Sequence, residues 1–407
     1  MRVGINCLRI YPSYSGGTNS FTLGLLDGFA RAGAGHEFKI FVTPWNREMF
    51  TKFAGVPNFE LVEIDESERR LLRRFHRFLP LAVKNRLPVE APSRVLNSRV
   101  ADLLAREADV MYVPYVPPPR LFPFPDVPTV YSIHDIQQVH FPEFFTAEQH
   151  VEREASFRKC VDHATVIQAS SRYMAQDFCD YFPKLDEGNV EVIPEGVDVE
   201  LFSRNDPGND LAERYGLPES FLFTPAQLWR HKNHVTILKA LKRLRDRGLV
   251  LHWVLTGAEY SAAEEIFEFV RENGLEDQVF YLGVVPFEDV ISLHHAARFL
   301  VTASLYESSS LPVLEAAAAG TPIVAGRIPP HEEMAEHLEM RLFAPTDDAE
   351  LAAVLEEAWA DEETSRSQIA ANREGVQRYS WDNAALRYLQ LFERLQARES
   401  VLAGERS

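Results

Sequence analysis

The stretch ARFLVTASLYESSSLPVLEAAAAG, residues 297–320, contains a complete strand, loop and helix unit. Its first eight residues form a short apolar run, which predicts a buried strand. Pro312 favours the first helical turn, the alanines that follow have high helix propensity, and Gly320 suits the residue just after a helix. Two carboxylates, Glu307 and Glu315, therefore bracket a strand-to-helix loop, where open parallel sheets bind their ligands.

The chemistry of this loop suits a polyhydroxylated anion. The N–H groups at a helix start carry partial positive charge and attract phosphate or sugar oxygens. Glu307 and Glu315 can each accept hydrogen bonds from two vicinal hydroxyls. In the alternative interpretation Glu307 is a solvated loop acid, and Glu315 merely complements the helix dipole.

The same segment resembles the E-x7-E motif of retaining glycosyltransferases of the GT4 type, which have the GT-B fold. The residues that carry this likeness are Glu307, Leu311, Pro312, Glu315, Ala316, Gly320 and Pro322. Further motifs of that family follow in its order, namely SGG (15–17), SIHD (132–135), IPEGVD (193–198), WRHKNH (229–234), LTG (255–257) and YLG (281–283). Together they cover nearly the whole chain, and the likeness is to bacterial mannosyltransferases in particular.

The order of strand-like and helix-like segments predicts an α/β protein built on doubly wound parallel sheets. Strands are predicted in VGINCLRI, HEFKIFVT, ADVMYVP, TVYSIHD and ATVIQAS of the first half and in SFLFTPAQ, HWVLTG, QVFYLG, RFLVTAS and TPIVAG of the second. The resemblance implies two Rossmann-like domains that face each other across a cleft. We expect an acceptor-binding domain at 1–200, a nucleotide-sugar-binding domain at 201–378, and a helix and tail at 379–407 that return to the N-terminal domain.

Composition predicts an ordinary soluble globular protein with two domains. The 407 residues are many for one core, and 46% of them are hydrophobic and 25% charged. The sequence has no run of eighteen apolar residues, and MRVGINCLRI is strand-like rather than a secretory leader, so we expect a cytoplasmic protein. Cys7, Cys160 and Cys179 have no metal-ligand spacing and are expected to be reduced.

The charge distribution argues against nucleic acid as a partner. The net charge of −18 leaves no general basic surface for a phosphate backbone. Residues 69–86 are a local exception, because seven Lys and Arg residues alternate there with Leu, Phe and Val and no acid occurs. This segment could make a peripheral contact with an anionic membrane at its inner face, or hold a phosphorylated acceptor. The alternative is a cationic helix face folded over its own acidic protein.

The resemblance implies which residues hold the diphosphate of a donor. Arg230 and Lys232 are similar to the family's cationic pair, in which Arg offers a planar fork of donors and Lys a point charge. His231 lies between them and could take part of that role. Gly16 and Gly17 precede a helix and would let the backbone approach the β-phosphate closely.

The remaining site residues also follow from the resemblance. His134 matches the histidine near the donor sugar, where its imidazole could bind a hydroxyl, and Asp135 is expected to orient a partner or cap a helix. Glu315 is similar to the carboxylate that accepts from the nucleotide ribose, and Glu307 to the one near the donor sugar. The loop residues between them that are expected to contact the donor are Ser308, Ser309, Ser310 and Leu311.

The sequence therefore predicts a retaining glycosyltransferase that moves a hexosyl unit from a nucleotide diphosphate sugar to a carbohydrate or lipid-linked acceptor. GDP-mannose is the first donor hypothesis, and UDP-glucose or another UDP-sugar is the alternative. A sugar-nucleotide epimerase or phosphorylase of the same fold and a catalytically silent sugar-binding scaffold are further alternatives. No cofactor or metal is expected, since the cationic side chains can neutralise the diphosphate, and same-face attack in this family needs no protein nucleophile.

Overall fold

The computed structural model describes residues 1–12, 17–65, 91–116, 123–204 and 211–405. Their contacts divide the chain into two compact units. Unit 1 comprises Met1–Ser170, Met174–Ile193 and Trp381–Ser407, and unit 2 comprises Ser171–Tyr173 and Pro194–Ser380. The domain boundaries predicted at residues 200 and 378 stay predictions beside this division by contact.

Among the described residues, unit 1 forms a seven-stranded parallel sheet in the order β3-β2-β1-β4-β5-β6-β7. The strands are β1 (Arg2–Asn6), β2 (Glu37–Val42), β3 (Phe59–Glu63), β4 (Val110–Val113), β5 (Thr129–Ser132), β6 (Val166–Ala169) and β7 (Val190–Val192). Ile5 pairs with Ile40 on one side and Tyr112 on the other. Every residue of β4, β5 and β6 is buried, as expected for parallel strands covered on both faces.

The described part of unit 2 forms a six-stranded parallel sheet in the order β10-β9-β8-β11-β12-β13. Its strands are β8 (Phe221–Pro225), β9 (His252–Thr256), β10 (Val279–Tyr281), β11 (Phe299–Thr302), β12 (Ile323–Gly326) and β13 (Arg341–Phe343).

Helices connect the strands of both sheets. In chain order they are α1 (Gly17–Ala32), α2 (Ala91–Glu107), α3 (Gln137–His140), α4 (Ala147–His163), α5 (Arg172–Tyr181), α6 (Val199–Ser203), α7 (Leu211–Tyr215), α8 (His234–Asp246), α9 (Ala263–Glu272), α10 (Phe287–Ala296), α11 (Leu311–Ala319), α12 (Pro329–Met334), α13 (Asp348–Ala360), α14 (Glu362–Gly375) and α15 (Trp381–Glu405). Single-turn 3₁₀ segments include Arg230–Lys232 after β8 and Val376–Tyr379 before α15.

Both faces of the sheet in unit 2 are covered by helices. Leu222 of β8 belongs to an apolar cluster with residues of α8 and α9, whereas its neighbour Phe223 packs in another cluster with Leu293 of α10. Successive side chains of a strand point to opposite faces, so this split places helices on both sides of the sheet. The prediction of doubly wound parallel sheets is confirmed in both units.

The C-terminal helix α15 belongs to unit 1 and packs closely against α1. A Cβ atom at Gly24 would lie 2.2 Å from Trp381 Cε2, and one at Gly28 would lie 2.3 Å from the Trp381 carbonyl oxygen. Only glycine therefore permits this contact without a shift of α15. Tyr388 of α15 also reaches the sheet, because the Tyr112 hydroxyl donates to its hydroxyl over 3.1 Å. The predicted return of the last helix to the N-terminal part of the chain is confirmed.

Of the strands that the structure describes, the sequence prediction missed β3, β7 and β13, and each of these lies at a sheet edge. Within the described ranges, the chain contains no helix long and apolar enough to cross a membrane. The basic segment 69–86 and Gly16 lie outside the described residues, so the predictions made for them stay predictions.

Candidate functional site

The predicted site residues of unit 2 lie on loops at the carboxyl ends of neighbouring strands. Strand β8 leads through Trp229 into the turn Arg230–Lys232, and β11 leads through Glu307 into α11. The two loops are joined by their backbones, because the Leu305 N–H donates to the His231 carbonyl over 2.8 Å. Strands β8 and β11 are neighbours in the sheet, so residues far apart in sequence meet here.

Lys232 and Glu307 form a close ion pair at this edge. The distance from Lys232 Nζ to Glu307 Oε1 is 2.5 Å, and the side chains are only 19% and 15% exposed. Burial raises the pKa of the Glu307 carboxyl, but the charges of Lys232 and His231 and hydrogen bonds from Lys232 and Ser304 outweigh it and hold the pKa below its usual value. Glu307 is therefore ionised at neutral pH, and the paired Lys232 ammonium stays directed to one place.

Asn233 fixes the geometry of these loops. It is the residue after the 3₁₀ turn and has φ 55°, a left-handed conformation that asparagine tolerates better than most residues. Its side-chain amide donates to the Ala303 carbonyl over 3.2 Å and to the Pro345 carbonyl over 2.7 Å. Asn233 thereby ties the loop after β8 to the chain that follows β11 and β13.

Arg230 has a different environment from Lys232. Its side chain is exposed, and among the described residues it has no hydrogen bond or ion pair, while its N–H donates to Ser261 Oγ over 3.4 Å. The residue before Arg230, Trp229, stacks on Tyr260 with ring centroids 3.8 Å apart. The structure thus pairs Lys232 with Glu307 and leaves the Arg230 guanidinium available at the surface.

The serine loop, residues 308–310, leads directly into α11. Ser309 and Ser310 are buried, Ser308 is half-buried, and Leu311 is the first residue of the helix. The Ser310 carbonyl accepts from the N–H groups of Val313 and Leu314 over 3.0 and 3.2 Å. Pro312 has no N–H, so fewer N–H groups are open at this helix start than the sequence argument assumed.

Glu315 lies in the middle of α11, and Gly320 ends that helix with φ 79° as predicted. The Glu315 side chain is 16% exposed, and its Oε2 atom lies 3.5 Å from Nε2 of the fully buried His294 on α10. Sequence analysis missed this histidine, since α10 precedes β11 and nothing in the HH pair at 294–295 indicates a carboxylate partner.

The LTG and YLG motifs also meet in the structure. Gly257, with φ 129°, follows β9, and its N–H donates to the Gly283 carbonyl over 2.8 Å. A Cβ at Gly257 would lie 2.5 Å from the Ala226 carbonyl oxygen, so the chain after β8 approaches here as closely as glycine allows. These glycines shape the loops at the carboxyl ends of β8, β9 and β10.

Predicted site residues of unit 1 lie at the carboxyl end of its own sheet. His134 follows β5, and its Nε2 lies 2.9 Å from the Pro114 carbonyl oxygen, while its ring meets Phe21 edge-on at 4.8 Å. Burial lowers the pKa of His134 despite the Pro114 carbonyl and the charge of Asp135, so the imidazole is neutral at pH 7. Gly17 begins α1, and a Cβ there would meet no atom within 4 Å.

Asp135 makes two contacts within unit 1, and its role as an orienting partner or helix cap stays a prediction. Its Oδ1 accepts from the Gln137 N–H over 3.1 Å at the start of α3 and also forms an ion pair with Arg153. Both contacts use the carboxylate as an acceptor within unit 1.

Family models match two long ranges of the chain. Residues 15–201 match the family described as Glycosyltransferase Family 4, and residues 213–375 match Glycosyl transferases group 1. The chain belongs to glycosyltransferase family 4. Over 97% of its length this family member superimposes on all of the Anabaena Alr3699/HepE chain, crystallised with UDP and glucose, with a TM-score of 0.69 and 17% identity. That likeness concerns the fold, which is GT-B.

The chain aligns with only part of its curated relatives. The D-inositol 3-phosphate glycosyltransferase of Corynebacterium glutamicum is 26% identical over 220 residues, which cover 51% of each chain. The MMP alpha-(1->4)-mannosyltransferase of Mycolicibacterium hassiacum is 29% identical over 249 residues, 59% of this chain and 56% of the relative. The aligned part spans only about half the length of such relatives, so their activities are not transferred with the family.

Proposed function

We propose that this protein is a retaining glycosyltransferase that moves a hexosyl unit from a nucleotide diphosphate sugar to a carbohydrate or lipid-linked acceptor. The observation that carries the proposal is the contact between Lys232 and Glu307 at the carboxyl ends of β8 and β11. Both residues occupy positions of the family's motifs, and the pair sets an ammonium and a carboxylate side by side. Such a pair can hold a phosphate and a sugar hydroxyl at once.

In this reaction the cations would stabilise the negative charge that develops on the leaving group. When the bond between the anomeric carbon and the diphosphate oxygen breaks, negative charge builds on the diphosphate and positive charge on the sugar ring. Lys232, held in place by Glu307, and the exposed Arg230 would stabilise the leaving diphosphate. The acceptor oxygen then bonds to the anomeric carbon on the same face, and its proton passes to the departing phosphate.

Several other residues complete the proposed donor site. Glu315 would accept from the ribose hydroxyls, and Glu307 would accept from a hydroxyl of the donor sugar. The remaining donor contacts proposed are those of Gly16, Gly17, His134, Ser308, Ser309, Ser310 and Leu311. His134 would bind a sugar hydroxyl in its neutral form, which its lowered pKa favours.

GDP-mannose is our first donor proposal, supported by the mannosyltransferase among the relatives. A UDP-sugar is the second candidate, because the Anabaena neighbour was crystallised with UDP and glucose. Thermal shift and calorimetry with GDP, UDP, ADP and their sugar conjugates distinguish the two, since a ligand that binds only the folded protein raises its stability. Selective stabilisation by one nucleotide identifies the donor class.

Product analysis then tests the reaction itself. A glycoside with the donor's anomeric configuration, formed only when an acceptor is added, supports a retaining transferase. An isomerised nucleotide sugar would show an epimerase, and phosphorolysis of a glycan would show a phosphorylase. Donor binding without transfer to any of a panel of glycans and lipid-linked sugars would show a silent scaffold, and binding of no nucleotide would refute the donor site.

Two further proposals concern the metal requirement of the reaction and the location of the protein in the cell. Transfer is expected to be unchanged by a chelator, because cationic side chains replace a metal at the diphosphate, and loss of activity with rescue by Mg²⁺ would contradict this.

A cytoplasmic protein with a peripheral membrane contact through residues 69–86 should sediment with anionic vesicles but not with neutral ones. Binding to neither vesicle would overturn the membrane contact while leaving the reaction untouched.

A further inference from the structure

His294 is a buried histidine whose ring nitrogens are not used by the fold. Its side chain is fully buried in α10, and neither Nδ1 nor Nε2 has a hydrogen-bond partner within the described part of the chain. The nearest carboxylate atom is Glu315 Oε2, 3.5 Å from Nε2. A hydrogen bond between these atoms would need an approach of only about 0.6 Å.

Two aromatic rings pack on the imidazole of His294. Its ring meets Phe223 edge-on at 5.1 Å and Phe202 at 5.9 Å, and its backbone carbonyl accepts from Thr321 Oγ1 over 2.6 Å. Packing alone would be served better by an apolar side chain, because a buried polar group without a partner costs free energy. Among the described residues, Glu315 is the group toward which we expect the imidazole to act.

We propose that His294 is a positioning residue that holds the Glu315 carboxylate in the orientation that binds the ribose diol. The imidazole donates its Nε2–H to Glu315 Oε2. A carboxylate offers about four lone-pair sites, so one bond from His294 leaves enough acceptors for two vicinal hydroxyls. This inference rests on the proposed function, because it takes Glu315 to be the ribose ligand.

The physical benefit is preorganisation. The Glu315 side chain, 16% exposed in the middle of α11, can adopt several rotamers, and ligand binding must select one of them. A fixed donor on a neighbouring helix makes that selection before the nucleotide arrives. The effect should therefore appear only with ligands that have the hydroxyls Glu315 binds.

The test compares a nucleoside diphosphate with its 2′,3′-dideoxy form by calorimetry, using whichever of GDP, UDP and ADP binds the wild type. His294→Leu has similar volume and no donor, and should weaken binding of the natural nucleotide about tenfold. Affinity for the dideoxy form should stay unchanged. His294→Gln restores an N–H donor and should recover most of the loss, whereas the shorter His294→Asn should not.

Phe223→Leu is the matched control, because it loosens the same apolar cluster but keeps the imidazole. It should affect both nucleotides equally or not at all. Equal weakening of both nucleotides in His294→Leu would reduce the role of His294 to packing and overturn the proposal. If His294→Leu does not fold, the contrast between His294→Gln and His294→Asn decides the same question.

Failure of the proposed donor site is distinguishable from failure of this inference. If the wild type binds both nucleotides alike and Glu315→Gln changes nothing, Glu315 is not a ribose ligand and the donor assignment fails with it. If Glu315→Gln removes the preference for ribose but His294→Leu keeps it, the donor assignment holds and the positioning role of His294 is wrong.

Discussion

Lys232 Nζ and Glu307 Oε1 lie 2.5 Å apart although 75 residues separate them in sequence. Each group would be costly to leave unpaired at its low exposure, and each satisfies the other. The pair stabilises unit 2, and in the function proposed above it also orients a cation for a diphosphate. Single and double variants of the same two residues distinguish these roles.

Lys232→Met should lower the free energy of unfolding by about 1–3 kcal/mol, because Glu307 is left with its charge partly buried and without its main partner. Turnover should fall about 100-fold or more, since a donor to the leaving group is lost. The double variant Lys232→Met/Glu307→Gln should regain much of the stability and none of the turnover. Urea unfolding and steady-state kinetics give both quantities.

Lys242→Met is the control for that comparison. Lys242 forms an exposed helical ion pair with Asp246, one turn away on α8. Exposed pairs of this kind contribute about 0.3–0.5 kcal/mol, so stability and turnover should both be nearly unchanged. Recovery of turnover in the double variant of Lys232 and Glu307 would contradict a direct role of Lys232 at the diphosphate.

Asn233 gives a second prediction, because its backbone and its side chain contribute separately. Asn233→Gly keeps the left-handed φ of 55° accessible but removes the bonds to Ala303 and Pro345, which should cost about 1–3 kcal/mol of stability. Asn233→Ala loses the same bonds and adds about 1 kcal/mol of backbone strain. Denaturant unfolding of the two variants measures the difference.

Turnover should decrease in both Asn233 variants, because the loops that carry Lys232 and Glu307 lose the side-chain bonds of Asn233 and keep only the backbone bond between Leu305 and His231 as a described link. The decrease should be similar in the two, since the lost side-chain bonds are the same. Full activity in Asn233→Gly would show that the backbone bond between Leu305 and His231 is enough to hold the loops.

The inner strands of both sheets could be predicted from the sequence because parallel strands buried on both faces are continuous apolar runs. The edge strands β3, β7 and β13 could not, whereas β10, also a half-buried edge strand, was predicted because its residues VFY are all apolar. All residues of β7 are half-buried, and β13 has only one buried residue, Phe343, so neither shows an apolar run. An edge strand has one neighbour, and its pairing is set by a partner strand rather than by its own residues.

The candidate site was predictable to the extent that it lies in local motifs. The order of strand, loop and helix places Glu307, Glu315 and Lys232 at the carboxyl ends of strands without any long-range information. Their partners depend on the order of strands in the sheet, which no local pattern contains. Lys232 meets Glu307 because β8 and β11 are neighbours in the sheet. His294 meets Glu315 because α10 packs on α11.

Gly28 gives a third prediction, for the attachment of α15. Its substitution by alanine places a methyl group against the Trp381 carbonyl oxygen, which belongs to backbone and cannot rotate away. Gly28→Ala should therefore destabilise unit 1 by about 1–3 kcal/mol through overpacking, despite the better helix propensity of alanine. Gly35→Ala, where a Cβ meets nothing within 4 Å, is the control and should leave the unfolding midpoint unchanged. Equal midpoints for both variants would show that α15 shifts without cost.

His234 predicts the response of stability to acid. Burial, together with the charges of Lys232 and His231, lowers its pKa to about 3, whereas an unfolded histidine has a pKa of about 6.5. Below about pH 6.5 this histidine therefore binds a proton in the unfolded chain but not in the folded protein. Its protonation lowers the free energy of unfolding by about 1.4 kcal/mol for each pH unit of acidification. His234→Leu should lose about 2 kcal/mol less than the wild type between pH 7 and pH 5. Urea unfolding followed by tryptophan fluorescence measures this, and parallel losses in the two proteins would mean that His234 takes up a proton in the folded state.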